Sequence, residues 1–158
     1  MAKTPSTSAL RWLRKHNIEH TVHPYDYVER GGTRASSTAL GVDEHVVIKT
    51  LVFEDADNKP LIVLMHGDCE VSAKSLARAI GSKSATPCKP AVAQKHSGYQ
   101  VGGTSPFGTR KALPVYVESS ILDLDAVFVN GGARGLLVCL APTVFTTRLG
   151  ATPVGVAR

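Results

Sequence analysis

The chain has 158 residues, 43% of them hydrophobic and 20% charged, and a formal net charge of +5 at pH 7. Those values fit one soluble globular domain over residues 1–158, long enough to bury a core and basic enough to suit a phosphate-bearing partner. No apolar run approaches the roughly 18 residues that cross a bilayer, and the N-terminal MAKTPSTSALRWLRKHN lacks the apolar stretch and cleavage site of a secretory signal, so the expected location is the cytoplasm with no membrane partner.

The elements are expected in this order. Ser6 or Ser8 caps a first helix running to about His16, with Leu10 and Leu13 on its apolar side. His20–Tyr25 reads as a short strand and Tyr27–Arg34 as a loop with Gly31-Gly32 at its flexible point. A helix over Ala35–Leu40 stops at Gly41, and Asp43 caps a further turn through Val46. Ile48–Glu54 and Pro60–His66 are strands joined by a hairpin loop at 55–59. Ser72–Ile80 is a helix ended by Gly81, and Pro90–His96 is another with proline in its first turn. Leu113–Glu118, Ala126–Asn130 and Gly135–Leu140 are strands, Pro142–Leu149 a last helix and Thr152–Val156 a last strand. Strands interrupt helices irregularly, so the expected class is α+β with a mixed, largely antiparallel sheet.

The densest signal is Gly98–Pro114, GYQVGGTSPFGTRKALP, which puts four glycines and two prolines into seventeen residues. Glycine lets backbone N–H groups approach a ligand without a Cβ in the way, although the same composition also serves a strand connector. Lys49 shares a strand face with Leu51 and Phe53, where it is either an edge guard or a cation held in a pocket. Gly131-Gly132-Ala133-Arg134-Gly135 is either a hairpin turn or a contact for a phosphate or ribose, with Arg134 as the fork. Tyr25 and Tyr27 are either half-buried strand-end residues or the wall of a pocket.

Other chemistries find little support. Gly103 and Gly108 have the spacing of a P-loop, but Thr109-Arg110 follows where Lys-Ser/Thr is required. His20 and His23 point to opposite faces of a strand, and His66 with Cys69 lacks a second pair of ligands, so no metal is expected. Cys69, Cys88 and Cys139 are widely spaced without a CxxC, which reads as free thiols in a reducing compartment. No GxSxG or cysteine-nucleophile signature surrounds any serine or cysteine.

Lys49-Thr50-Leu51, the block Gly98–Gly108, Leu113-Pro114 and Gly131–Gly135, with His23-Pro24-Tyr25 ahead of them, together resemble the YbaK/EbsC family of aminoacyl-tRNA deacylases. That family is related to the editing domain of bacterial prolyl-tRNA synthetase. The resemblance covers nearly the whole chain and implies hydrolysis in trans of a mischarged tRNA, Cys-tRNA(Pro) first, without metal or cofactor. It assigns catalytic roles to Lys49 and Gly102, and substrate binding to Tyr25, Thr50, Gly103, Ser105, Gly131, Gly132 and Arg134. The implied partners are tRNA, tRNA(Pro) in particular, and prolyl-tRNA synthetase. The alternatives are a deacylase preferring Ala- or Ser-charged tRNA, or a non-catalytic module that binds tRNA or a synthetase. Where some members carry an acid just after the GGxRG turn, this chain has Leu137, which leaves the amino acid open.

Overall fold

The computed structural model describes residues 6–158; the first five residues, part of the segment read above for a targeting signal, lie outside them. Helix α1 is Ser8–Lys15, and its cap is Thr7, not the expected Ser6 or Ser8. The Thr7 hydroxyl accepts from the Leu10 N–H at 3.0 Å and donates to the Gly131 carbonyl at 2.6 Å. That second, long-range bond decides between three neighbouring candidates, because only Thr7 is buried while Ser6 and Ser8 stay exposed on Arg11. Ala9, Leu10 and Leu13 are buried, and each leucine side chain so buried stabilises the fold by about 1.5–3 kcal/mol.

Strand β1 (Thr21–Pro24) is two residues shorter than expected. Helix α2 (Gly32–Leu40) begins earlier than expected and takes in Gly32, Thr33 and Arg34 from the supposed loop. Glycine is a poor helix former, but at the first turn it loses little, and Thr33 is tied to Glu44 at 2.8 Å. Gly41 ends α2 in the left-handed conformation, and Asp43 caps the short 3-10 turn Glu44–Val46, as expected.

The hairpin of β2 (Val47–Asp55) and β3 (Pro60–His66) is the centre of the sheet. After it come α3 (Ala73–Ile80), β4 (Ala85–Pro87), α4 (Pro90–Ser97), β5 (Val115–Glu118), β6 (Val127–Asn130), β7 (Leu136–Leu140), α5 (Thr143–Thr147) and β8 (Thr152–Val154). Strand β4 and the 3-10 turn Ser119–Asp123 are not among the expected elements. Three residues ending in proline carry no periodic signal; β4 exists because β2 offers it an edge. Helix α5 is shorter than the expected Pro142–Leu149, in keeping with its run of β-branched Thr143, Val144, Thr146 and Thr147.

The sheet runs β1-β7-β6-β2-β3-β5-β8, with β4 beside β2. The β1/β7, β6/β7, β2/β3 and β2/β4 pairings are antiparallel. The β2/β6, β3/β5 and β5/β8 pairings are parallel, so the class is α+β with a mixed sheet. The larger core lies on the face carrying Ile48, Val52, Ile62, Leu64, Val117 and Val129, beneath α1, Phe107 and Phe145. A smaller one lies on the other face, where Phe53, Val63 and Met65 meet Leu76 and Ala77 of α3 and Val156.

Strand β2 has an edge that two partners share. On that side β6 pairs only with Val47 and Ile48, and β4 only with Phe53, Glu54 and Asp55. The Val47 carbonyl bonds Gly67 at 2.7 Å and the Asp55 N–H bonds Lys59 at 3.0 Å, so odd-numbered peptide groups face β3. The Val52 carbonyl accepts from the Cys88 N–H at 3.0 Å on the opposite side. Peptide orientation alternates along a strand, so the N–H and C=O of Thr50 face the gap between β6 and β4. Sheet pairing stops there, at Lys49-Thr50-Leu51.

Candidate active site

A cleft of about 610 Å³ opens at this gap. One side is β2 from Val47 to Phe53, and Pro87, Cys88 and Pro90 close its end. Tyr25, Tyr27 and Arg30 come from the segment before α2, while Val101, Gly102 and Thr104 come from the glycine-rich loop and Asn130 from the end of β6.

Lys49 reaches into the cleft from β2, and its ammonium donates to the Cys69 carbonyl at 2.5 Å. It is therefore a fixed cation on the wall of the cleft, the second of the two readings its sequence allowed. Thr50 lines the same wall, and its Oγ1 is the one buried side-chain polar atom without a partner among the described residues. A buried hydroxyl left unsatisfied costs about 1–3 kcal/mol. Burial raises the Tyr25 phenol above its ordinary value, opposed by a backbone bond at Gly135 and a bond with Ser36.

Gly102 sits in the loop at φ +90, a conformation that L side chains rarely adopt. A Cβ there would stand 2.6 Å from the Tyr27 hydroxyl. The Gly103 N–H is used within the turn, donating to the Gln100 carbonyl at 2.8 Å. The Gly102 N–H meets no acceptor among the described residues. Gly103 packs instead on the second glycine turn, where a Cβ would lie 2.9 Å from the Ala133 carbonyl carbon and the Arg134 nitrogen.

The turn at Gly131–Gly135 supports the loop from behind. Asn130 bridges the two: its Oδ1 accepts from the Gly132 N–H at 2.7 Å, and its Nδ2 donates to the Gly102 carbonyl at 3.1 Å. The Gly131 N–H bonds Leu136 at 2.9 Å and its carbonyl takes the Thr7 hydroxyl at 2.6 Å. Arg134 donates from Nε to the Val101 carbonyl at 3.0 Å, and its guanidinium carbon lies 5.1 Å from the centre of the Tyr27 ring. Within the loop Ser105 is fully buried and accepts from the Phe107 N–H at 3.2 Å, while Phe107 stacks on Trp12 at 5.3 Å.

Of the residues singled out in the sequence, Tyr25, Lys49, Thr50 and Gly102 thus meet on one cleft. Gly103, Ser105, Gly131, Gly132 and Arg134 are not on its wall; they hold the loop that carries Gly102. Sequence reasoning passed over Asn130, whose signal was an amide side chain directly before a Gly-Gly turn. Cys88 also reaches the wall, and burial, with the nearby Glu54 carboxylate, pushes its thiol up to about 11. His96 joins the end of the loop to β2, its Nε2 at 3.2 Å from Glu54 and its Nδ1 accepting from the Lys111 ammonium at 2.9 Å.

Fold and cleft together define a small α+β protein whose site combines one fixed cation, bare backbone donors and no activated side-chain nucleophile among the described residues. The family model described as aminoacyl-tRNA editing domain matches residues 32–147, and the chain belongs to that family. The family's chemistry is hydrolysis of the aminoacyl ester of tRNA. EbsC of Enterococcus faecalis, whose name assigns it provisionally as a Cys-tRNA(Pro)/Cys-tRNA(Cys) deacylase, is 28% identical over 137 residues, covering 86% of this chain and 84% of that one. The proline–tRNA ligase of Ligilactobacillus salivarius is 34% identical over 96 residues, 61% of this chain but 17% of the ligase. A crystal structure assigned provisionally as a trans-editing enzyme for prolyl-tRNA synthetase superposes with a TM-score of 0.83 at 20% identity, covering 98% of this chain and 99% of the other.

Proposed function

We propose that this protein removes the wrong amino acid from tRNA in trans, with Cys-tRNA(Pro) as its preferred substrate and prolyl-tRNA synthetase as the source of that substrate. The carrying observation is the juxtaposition, in one cleft, of the Lys49 ammonium, the unpaired Thr50 edge of β2 and the Gly102 loop. Cleaving an aminoacyl ester develops negative charge on the carbonyl oxygen. A positioned N–H and a fixed cation are what stabilise it. In this reading the Gly102 N–H receives the carbonyl oxygen, Lys49 orients and charge-stabilises the aminoacyl-adenosine end, and Tyr25 and Thr50 hold it. Gly103, Ser105, Gly131, Gly132 and Arg134 contribute by fixing the loop.

The attacking group is water or the substrate's own thiol, and a ribose hydroxyl of the substrate can assist by passing on a proton. The ester C–O bond breaks and its oxygen takes up the proton given up by the attacking group, leaving as a ribose hydroxyl of tRNA. Attack by water releases the amino acid, and attack by the thiol releases a cyclic thioester that water then opens. Cys88 is unsuited to the attack because its thiol is held protonated until about pH 11. EbsC, similar over most of both chains, supports the cysteinyl substrate by its name, and the ligase relatives support the link to the synthetase.

The test is to incubate the protein with tRNA(Pro) charged in turn with Cys, Ala, Ser and Pro and to follow the acyl bond. The cysteinyl ester is expected to be cleaved fastest, and Lys49→Ala to slow cleavage by about 100-fold or more. Wild-type rates in Lys49→Ala overturn the role given to Lys49. Preference for the alanyl or seryl ester overturns the substrate, and binding of tRNA without hydrolysis of any ester overturns the reaction.

A further inference from the structure

Close to the cleft, next to the Cys69 carbonyl that holds Lys49, three side chains with metal-binding atoms converge. His45 comes from the 3-10 turn before β2, and Asp68 and Cys69 from the turn after β3. His45 Nδ1 lies 2.9 Å from Asp68 Oδ1, and Cys69 Sγ lies 3.6 Å from the same oxygen. All three ligand atoms fall within 4.8 Å of one another. Bond lengths of about 2.0 Å to nitrogen or oxygen and 2.3 Å to sulfur put the corners of a tetrahedral zinc site roughly 3.3–3.6 Å apart, so the sulfur–oxygen edge already has the span of such a site and side-chain rotation brings the other two edges to it.

The imidazole is also held from behind. His45 stacks on His66 with ring centres 3.7 Å apart and planes 6° from parallel. His66 Nδ1 faces the His45 carbonyl at 2.8 Å and therefore donates to it, while its Nε2 meets the Ser120 hydroxyl at 2.7 Å. His66, the histidine that the sequence set beside Cys69, is thus occupied in positioning and is not a ligand. The bond fixes the backbone of His45, and the stack limits rotation of its ring. His45 and Asp68 each remain about two-fifths exposed, so an ion has a path in and room for water as a fourth ligand.

We propose that His45, Asp68 and Cys69 form a binding site for a borderline divalent cation of the zinc class. Cys69 binds as thiolate through Sγ and gives up its proton to solvent. His45 binds as neutral imidazole through Nδ1, with its proton on Nε2, and Asp68 binds through one oxygen. Thiolate and carboxylate together balance the dication, and the mixed S, N, O set favours zinc or cobalt over magnesium or calcium. The other convergent group, Glu54, Cys88 and His96, suits an ion less well, because the Lys111 ammonium already occupies His96 Nδ1.

The experiment is titration of the chelator-treated full chain with Co²⁺ and then Zn²⁺. One cobalt per chain should bind with a thiolate-to-cobalt absorption in the near ultraviolet, and zinc should bleach it. Cys69→Ser should abolish that band, and His45→Ala and Asp68→Asn should weaken binding by at least about 100-fold, the upper end of what loss of an outer partner costs. Cys88→Ser should leave the band intact. Thermal melts of each variant separate loss of ligand from loss of fold, and the near-isosteric Asp68→Asn guards against the latter. Two results overturn the proposal: no saturable uptake of either ion, or a band that survives Cys69→Ser and disappears in Cys88→Ser.

Discussion

The Lys49 ammonium and the Cys69 carbonyl oxygen are joined by a 2.5 Å hydrogen bond that runs from the middle of β2 to the turn after β3. The bond holds a long, flexible side chain in one place before any substrate arrives, so its ordering entropy is spent in folding and not in binding. On the function proposed above, the cleft uses a compact ammonium with one donor on the protein and others left for the ligand.

Lys49→Arg keeps the charge but not that geometry. A guanidinium is planar and larger, and its fork cannot use the Cys69 carbonyl while leaving the same point charge in the cleft. The variant is expected to fold normally and lose about 10- to 100-fold in the single-turnover rate of ester cleavage, with the loss in rate and not in tRNA affinity. A rate equal to the wild type would mean that charge alone is what the cleft requires of this residue.

Gly102 and Tyr27 meet so closely that neither can be changed without consequence for the other. Gly102→Ala introduces a Cβ at a φ of +90 and within 2.6 Å of the Tyr27 hydroxyl. Backbone strain of this kind costs about 1–3 kcal/mol, or roughly 2–12 °C in melting midpoint for a chain of this size. The loop is expected to shift away from β2, with a fall in kcat/KM larger than the loss of stability explains. Adding Tyr27→Phe removes the nearest atom and should restore part of both, measured by melting curves and ester hydrolysis on the same preparations.

Much of this arrangement is visible in the sequence where the cause is local. The β2/β3 hairpin lies within one residue of its expected bounds because alternation and a polar turn specify it. Gly41 and Gly81 stop their helices in the left-handed conformation, as a C-terminal glycine should. Where two distant segments make the decision, no local pattern foretells it. Thr7 is chosen as a cap by Gly131, β4 by the free edge of β2, and the three parallel pairings by connections that periodicity does not encode. The site divides in the same way. Lys49, Thr50, Tyr25 and Gly102 were named from motifs and resemblance, but only the fold shows that Ser105 is sealed in the core and that Asn130 ties the loop to the turn.

Asn130 offers a test of that tie. Asn130→Asp preserves the shape and the acceptor for the Gly132 N–H but sets a carboxylate oxygen against the Gly102 carbonyl, where Nδ2 now donates at 3.1 Å. Losing that donor leaves two partly buried acceptors facing each other, at a cost of about 1 kcal/mol or more. The melting midpoint is expected to fall, and ester hydrolysis to fall with it, since the Gly102 peptide loses its support. Asn130→Ala should be as harmful to activity and less so to stability, because it removes the bond without adding repulsion.

Cys88 carries the pH dependence that the structure defines most sharply. Burial, aided by the Glu54 carboxylate, raises its thiol from 9.0 to about 11. A raised thiol pKa means that folding favours the protonated form, so the unfolded chain gives up that proton first as pH rises. The stability linked to Cys88 is therefore whole below about pH 9 and is lost between 9 and 11. Melting midpoints measured from pH 8 to 11 should decline less steeply in Cys88→Ala than in the wild type, and a parallel decline would show that this thiol does not titrate late. The same shift lowers the thiolate fraction at neutral pH by about 100-fold, and the greater nucleophilicity of a more basic thiolate offsets part of that, so alkylation of Cys88 by iodoacetamide should be slower than for an ordinary thiol by about 10-fold or more.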